Sequence, residues 1–404
     1  MKGSTPLVPR EQTRILLLSP AFPPSIGGIE RTAGALADGL RDFHVQVVAG
    51  RPPTSTGRGM EPPADVRVHW SRNDPPYGRR ATATLGSRAV AVGLRFKPHL
   101  VLAMHTRMMP AARILRHLRG SRTLLVIHAK EVREQPRLAR AAVRWADTLV
   151  AVSEFSRDLA LECDAPADRV RIVHPGVTLP STAPVPLRLR PGPPTIVTVA
   201  RMSDRHKGHD VALAAMELLH ARVPTARWVM IGDGALRQGL RDAALRRGLG
   251  DCVLFPGAVD DSTVSTSLSS ADVFCLLSRD PGGGAAGEGF GIVLIEAGAH
   301  GLPVVAGRVP GVVDAVQDHV TGLLVDPEDP REAADALERL LVDGRLAESL
   351  AQANLARARE LAWPMVVDRY RALIHEVLDL PPRNEVSEDL GWLVDLAVGP
   401  RSEV

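Results

Sequence analysis

The stretch Gly282-Gly283-Gly284-Ala285-Ala286-Gly287-Glu288-Gly289-Phe290-Gly291-Ile292-Val293-Leu294-Ile295-Glu296-Ala297-Gly298-Ala299-His300-Gly301-Leu302-Pro303-Val304-Val305-Ala306-Gly307-Arg308-Val309-Pro310-Gly311 decides how the chain is read. It begins as a glycine-rich loop and becomes an apolar run that reads as a buried helix. Gly301-Leu302-Pro303 stops that helix, since a glycine past the end and a following proline terminate it. Pro303–Ala306 then reads as a buried strand. The loop thus feeds a helix N-terminus at Gly291-Ile292-Val293, where unpaired N–H groups and the helix dipole favour an anion. Glu288 stands just before this turn and Glu296 eight residues later. That spacing puts both acids on one face if both are helical; Glu288 reads as loop and Glu296 as helix. The plain alternative is a helix-interior glutamate paired to an arginine.

Working outward, Arg14–Ser19 reads as a buried first strand. The loop 20–28 ends in Gly27-Gly28, and a helix carries apolar residues at Ile29, Ala33, Leu36 and Leu40. Strand, glycine loop, helix opens a Rossmann-like unit, although a glycine pair alone is only a turn signal. Glu30 and Arg31 read as solvated residues capping the helix start. Val45–Val48, Val66–His69 (an edge strand), Leu100–Ala103 (a central one), Leu124–Ile127 and Thr148–Val152 continue the alternation. Six prolines between 180 and 194 interrupt it. A second series follows with strands at 195–199, 228–231, 253–255, 273–277, 303–306 and 323–325. The chain is therefore expected to be α/β, with two Rossmann-like domains facing each other across a cleft. The expected divisions are a mobile leader 1–13, an N-terminal domain 14–176, a linker 177–194, a C-terminal domain 195–360, and an unassigned tail 381–404.

Composition excludes several classes. Forty-nine basic residues against forty-six acidic ones leave a net charge of +3, with no basic stripe for nucleic acid. Aromatics make up 3% against an apolar fraction of 45%, which suits parallel sheets under helices. No apolar stretch approaches the roughly eighteen residues of a membrane span, and residues 15–18 are too short for a signal-peptide core. Cys163, Cys252 and Cys275, an odd and scattered set, read as buried thiols in a reducing cytoplasm rather than a disulfide or metal site. The arginine-rich segments 79–95 and 107–122 read as solvated helix faces; their functional alternative is an anionic acceptor or a peripheral contact with the inner face of the membrane.

The remaining chemistry sits at strand ends, where ligands bind in open α/β sheets. Arg201 ends one strand and Lys207 precedes a helix; two cations there would neutralise a diphosphate, arginine as a fork and lysine as a point charge. On their own, two basic residues are a solvated loop. Asp233 in Ile231-Gly232-Asp233-Gly234 reads as a turn and N-cap residue. His105 and His128 both follow strands, where a lone histidine is more often structural.

Taken together, Glu288-x7-Glu296 and the Arg201…Lys207-Gly208 pair resemble the signature of family-four retaining glycosyltransferases, whose fold is the two-Rossmann GT-B architecture. The resemblance covers about residues 14–380 and the composition is of actinobacterial type. It implies a donor on the C-terminal domain, an acceptor on the N-terminal one, and a segment 361–380 crossing back. The donor would be a UDP- or GDP-sugar held by Gly28, Arg201, Lys207, Glu288, Phe290, Gly291, Ile292, Val293 and Glu296. Glu296 would bind ribose and Glu288 sugar hydroxyls. Glu288, His128, Arg201 and Lys207 would be catalytic, and His105 would lie toward the hydroxyl acceptor, shaped by loops 51–63 and 71–80. No metal or cofactor is expected, since two cations and a helix dipole supply the positive field. Two departures stand out: the soft run Gly282–Gly287, and His174 where the family commonly shows asparagine. The alternatives are an epimerase of the same architecture and a non-catalytic nucleotide-sugar-binding protein.

Overall fold

A computed structural model of the chain describes residues 13–25, 27–52, 61–71, 78–187, 190–203, 205–280 and 288–381. The glycine run 282–287, the tail beyond 381 and most of loops 51–63 and 71–80 lie outside the described residues. Strands β1 (Arg14–Ser19), β2 (His44–Ala49), β3 (Arg67–Trp70), β4 (Leu100–Ala103), β5 (Arg122–Ile127), β6 (Thr148–Ala151) and β7 (Val170–Ile172) form one sheet, in the order β3-β2-β1-β4-β5-β6-β7. Strands β8 (Thr195–Val199), β9 (Arg227–Ile231), β10 (Val253–Gly257), β11 (Val273–Leu276), β12 (Val304–Gly307) and β13 (Gly322–Val325) form a second, in the order β10-β9-β8-β11-β12-β13. The strand pairs run parallel, as between β1 and β4 and between β8 and β11. The two α/β units are those expected from the alternation.

Helices α1 (Gly28–Gly39), α2 (Arg79–Phe96), α3 (Met109–Arg119), α4 (Ala129–Glu134), α5 (Pro136–Trp145) and α6 (Glu154–Glu162) alternate with the first set of strands. Helices α7 (His209–His220), α8 (Arg237–Arg246), α9 (Asp261–Ser270), α10 (Ile292–Ala299), α11 (Val312–Ala315), α12 (Pro330–Val342) and α13 (Gly344–Glu360) alternate with or follow the second, and α14 (Trp363–Asp379) closes the chain. Leu16 and Leu18 enter the core on one face of the first sheet, and Ile15 and Leu17 the core on the other. Such a strand is apolar throughout because helices cover both faces. None of the described helices is long and apolar enough to cross a membrane.

The chain passes between the sheets at two places, and these lie side by side. Val177 donates its N–H to the Leu361 carbonyl at 2.9 Å and accepts from the Trp363 N–H at 3.1 Å. Beyond this crossing, α14 lays Val366, Tyr370, Ile374 and Val377 into the core that holds Ile15 and Leu17 of the first sheet. Between the crossings, Arg190 in the proline-rich stretch donates to the carbonyls of Ala271 and His300, fastening that stretch to the second sheet's helices.

Two sequence expectations change. The segment 107–122 is not simply a solvated face. Arg116 reaches the buried Asp147 at 2.7 Å, Arg122 lies 3.9 Å from it, and Arg113 stacks over Trp145. A buried carboxylate needs a cation, and this one also accepts from the Thr123 N–H and hydroxyl. Asp233 bonds the Gly234 N–H, but the cap of α8 is Leu236, so it is a turn residue only. The three cysteines are buried and free, as read.

Gly176 and Gly86 make a paired test of the crossing. A methyl at Gly176 would overlap the Trp363 ring, whereas one at Gly86 in α2 meets nothing within 4 Å. Gly176→Ala is expected to lower unfolding free energy by about 1–3 kcal/mol, and Gly86→Ala to raise it by about 0.5–1 kcal/mol. Urea denaturation checks both; equal effects would sink the packing account.

Candidate active site

In each sheet the chain order reverses between two neighbouring strands: β1 and β4 in the first, β8 and β11 in the second. The loops leaving such a pair diverge and open a crevice at the strands' carboxyl ends. The predicted residues fall in these two crevices.

In the second crevice, Arg201 leaves β8, and Lys207 sits in a single 3₁₀ turn, Arg205–Lys207, before α7. Gly208 has φ +68°, and a Cβ there would overlap the Leu277 carbonyl, so only glycine lets this turn press against the end of β11. Lys207 thereby reaches Glu288, whose Oε2 accepts from Lys207 Nζ and, at 3.2 Å, from the Ser278 hydroxyl. Burial pushes the Glu288 carboxyl up; Lys207 beside it and the Ser278 bond more than reverse this and hold it below the usual glutamate range. Burial and the Lys207 charge push His206 down to about 4, so its ring is neutral at physiological pH. Gly291 caps α10 in the left-handed conformation; its carbonyl accepts from the Leu294 N–H at 2.9 Å, and the Ile292 and Val293 amides at the helix start have no intrahelical partner. Glu296 lies inside α10, as its spacing predicted.

In the first crevice, Gly27-Gly28 begins α1, His105 follows β4, and His128 follows β5. The two crevices meet. A Cβ on Gly28 would stand 3.2 Å from Cδ1 of Ile292, so the glycine loop faces the start of α10. Arg31 of α1 donates to Glu296 across 265 residues of sequence and lies 3.6 Å from Asp261. The plain reading of Glu296, a helix glutamate paired to an arginine, thus describes one of its contacts.

One sequence reading needs correction, and two others gain a tertiary contact. Glu30 is not a solvated cap: it is 8% exposed, and its carboxylate folds over Gly27. Burial raises its carboxyl, against its own backbone N–H, Arg201 and Arg31. Arg31, with 37% of its side chain exposed, also reaches across the crevice to Glu296 and Asp261. Phe290 is 3% exposed with its ring stacked on His174, 4.9 Å between centroids, so its side chain is packing, and a donor contact would fall to its backbone. Reasoning from sequence also missed Ser278, His206 and Glu131. Ser278 does carry a signal in hindsight, as a polar residue just after a strand end, and Glu131 as the acid three residues after the His128 cap of a helix.

The fold and the paired crevices define a two-domain GT-B glycosyltransferase. Solved structures superimpose along nearly their whole length. A sucrose-phosphate synthase from Thermosynechococcus elongatus matches with TM-score 0.77 and 23% identity over 90% of this chain and 99% of that one. Anabaena HepE, in complex with UDP and glucose, matches with TM-score 0.72 and 19% identity over 90% and 100%. Residues 182–357 match the family described as glycosyl transferases group 1, and residues 26–180 match glycosyltransferase family 4. A GDP-mannose-dependent alpha-(1-6)-phosphatidylinositol monomannoside mannosyltransferase of Mycobacterium tuberculosis is 30% identical over 367 residues, 85% of this chain and 92% of the relative. A D-inositol 3-phosphate glycosyltransferase of Nocardioides is 32% identical over 58% of this chain and 56% of the relative. The chain belongs to the group 1, family 4 glycosyltransferases of the GT-B fold, of actinobacterial type.

The Lys207–Glu288 pair sets a pH dependence. A carboxyl held below its ordinary value adds stability above that value, and the contribution is lost as pH falls through the depressed one. Lys207→Met leaves burial to push Glu288 up, so the stability gap between wild type and variant should be wider near about pH 7.5 than near about pH 4.5. Urea titrations at both values check this; a gap independent of pH would reject the pairing.

Proposed function

We propose that this glycosyltransferase moves a hexose-type sugar from a UDP- or GDP-sugar to a hydroxyl acceptor with retention of configuration and without a metal. The observation that carries this reading is the second crevice: the α10 N-terminus, Arg201 and the Lys207–Glu288 pair stand together at the β8–β11 reversal. The nucleotide lies there, and the acceptor lies against the first sheet. The hard step is departure of the nucleoside diphosphate. Arg201, Lys207 and the amides of Gly291, Ile292 and Val293 stabilise the charge that develops on the leaving phosphate, and Gly28 gives its backbone close approach. Glu288, ionised beside Lys207, holds sugar hydroxyls, and Glu296 holds the ribose, sharing or displacing Arg31. His128 lies by the transferred sugar. Same-face attack passes the acceptor proton to the departing phosphate oxygen, and closure over the crevices excludes water. The relatives' names support this direction: one is GDP-mannose-dependent and another acts on an inositol phosphate. By the same reading the enzyme works in the cytoplasm, with a peripheral membrane contact if its acceptor is lipid-borne.

The test is a titration with GDP-mannose, UDP-glucose and the free nucleotides, reading melting temperature and release of nucleotide. A ligand that binds the folded state raises the melting temperature by mass action. One nucleotide family should stabilise the protein, with the shift lost in Glu296→Ala. Arg201→Ala should lower turnover by roughly a hundredfold or more, as removal of a charge-stabilising donor does. No shift with any sugar nucleotide would favour a binding protein with another ligand, and unchanged turnover in Arg201→Ala would remove the phosphate assignment.

A further inference from the structure

The described residues include a further buried carboxylate for which the donor chemistry has no use. Glu131, in the first turn of α4, has 2% of its side chain exposed and joins the ends of two neighbouring strands. Its Oε1 accepts from the His128 N–H at 2.8 Å. Its Oε2 accepts from the Thr106 N–H at 2.7 Å and the Thr106 hydroxyl at 3.1 Å, and lies 2.6 Å from His105 Nδ1. Burial pushes this carboxyl up, and the two histidines with their bonds bring it below its ordinary value, so it is an anion.

An anion that close fixes where the His105 proton sits. The Arg107 N–H also points at Nδ1, from 3.1 Å. A ring nitrogen 2.6 Å from a carboxylate oxygen nevertheless carries the proton, because two lone pairs at that separation repel. His105 is therefore held as the Nδ1–H form, which leaves Nε2 as the atom that can receive a hydrogen bond. His128 is held differently: its side chain accepts from the Glu131 backbone N–H in a capping box, while its buried Nε2 has no partner among the described residues. Burial lowers its pKa, so the ring is neutral at neutral pH. A buried polar atom without a partner is rare in a folded protein and points to a ligand. The His105 acceptor and the unpartnered His128 Nε2, at the ends of β4 and β5 beside the chain reversal, suit a polyhydroxylated molecule, whose hydroxyls both donate and accept.

We infer that Glu131 is the positioning residue of His105, holding its ring so that Nε2 receives the acceptor hydroxyl. This rests on the glycosyl-transfer reading above, and names the groups that would orient the attacking hydroxyl.

Imidazole nitrogen-15 spectra of histidine-labelled protein test it without substrate, with His105→Gln and His128→Gln assigning the signals. At about pH 8 the His105 ring should show a protonated Nδ1 and a lone pair on Nε2. In Glu131→Gln, where an amide oxygen still caps α4, the His105 ring should lose that single form. With whichever of GDP-mannose and UDP-glucose stabilises the protein, kcat for sugar release should fall roughly tenfold or more, and KM should stay within about threefold. A wild-type His105 with its proton on Nε2 would overturn the inference, and so would wild-type kcat in Glu131→Gln. If that variant does not fold, His105→Gln supplies the kinetic arm, with the same loss expected and wild-type kcat again overturning it. If neither nucleotide sugar stabilises wild type, the donor reading fails instead, and the spectra still decide the geometry at Glu131.

Discussion

Because the strands of both sheets pair parallel, their carboxyl ends lie along one margin of each sheet, and every loop leaving a strand starts there. Lys207, Ser278, His105 and His128 all follow this rule. What singles out two places along these margins is the reversal of strand order, at β1–β4 and at β8–β11. Loops on either side of a reversal turn away from each other, and the space they leave is where charged groups are held without helices covering them. The contacts of Gly28 with Ile292 and of Arg31 with Glu296 bring the two spaces face to face.

The buried carboxylates follow one logic. Placing an anion in a protein interior is costly unless a cation or several donors meet it. Asp147 meets Arg116 and Thr123, Glu131 meets two histidines and Thr106, and Glu288 meets Lys207 and Ser278. The Asp147 group ties α3 to the first sheet away from either crevice. The other two, in the first turn of α4 and just before α10, reach partners that follow strand ends, and there the same arrangement fixes the charge and orientation of groups that face a crevice. Glu30 differs: it is buried with its carboxyl raised, so its cations only partly offset its desolvation.

The crossing of the chain between sheets is held by a few short contacts. Val177 bonds across to Leu361 and Trp363, and Gly176 lies under the Trp363 ring. Contacts concentrated at one point suit two units that change their separation as a ligand enters, because little has to be broken elsewhere. Further out, the Glu154 backbone N–H donates to Asp314, and Arg133 with Asp280 and Arg31 with Glu296 and Asp261 pair side chains that are mostly part-exposed.

Amino-acid order alone settled the elements and their alternation. The strand Arg14–Ser19 and the helix behind Gly291 were legible because a strand covered on both faces must be apolar throughout and a buried helix is an apolar run that a glycine and a following proline stop. Those are local requirements, written within a few residues. The pairings across the crevices were not legible. Arg31 and Glu296 are 265 residues apart, and neither helix shows in its own pattern that it will face the other. His174 with Phe290 and Glu131 with His105 were hidden for the same reason. Charge state was hidden too, since whether Glu30 or Glu288 is raised or lowered depends on which cation the fold brings beside it. Sequence fixes periodicity and turn chemistry, which act over a few residues; only the folded chain decides which distant groups share a small volume of low dielectric, and that proximity sets both pKa and reach.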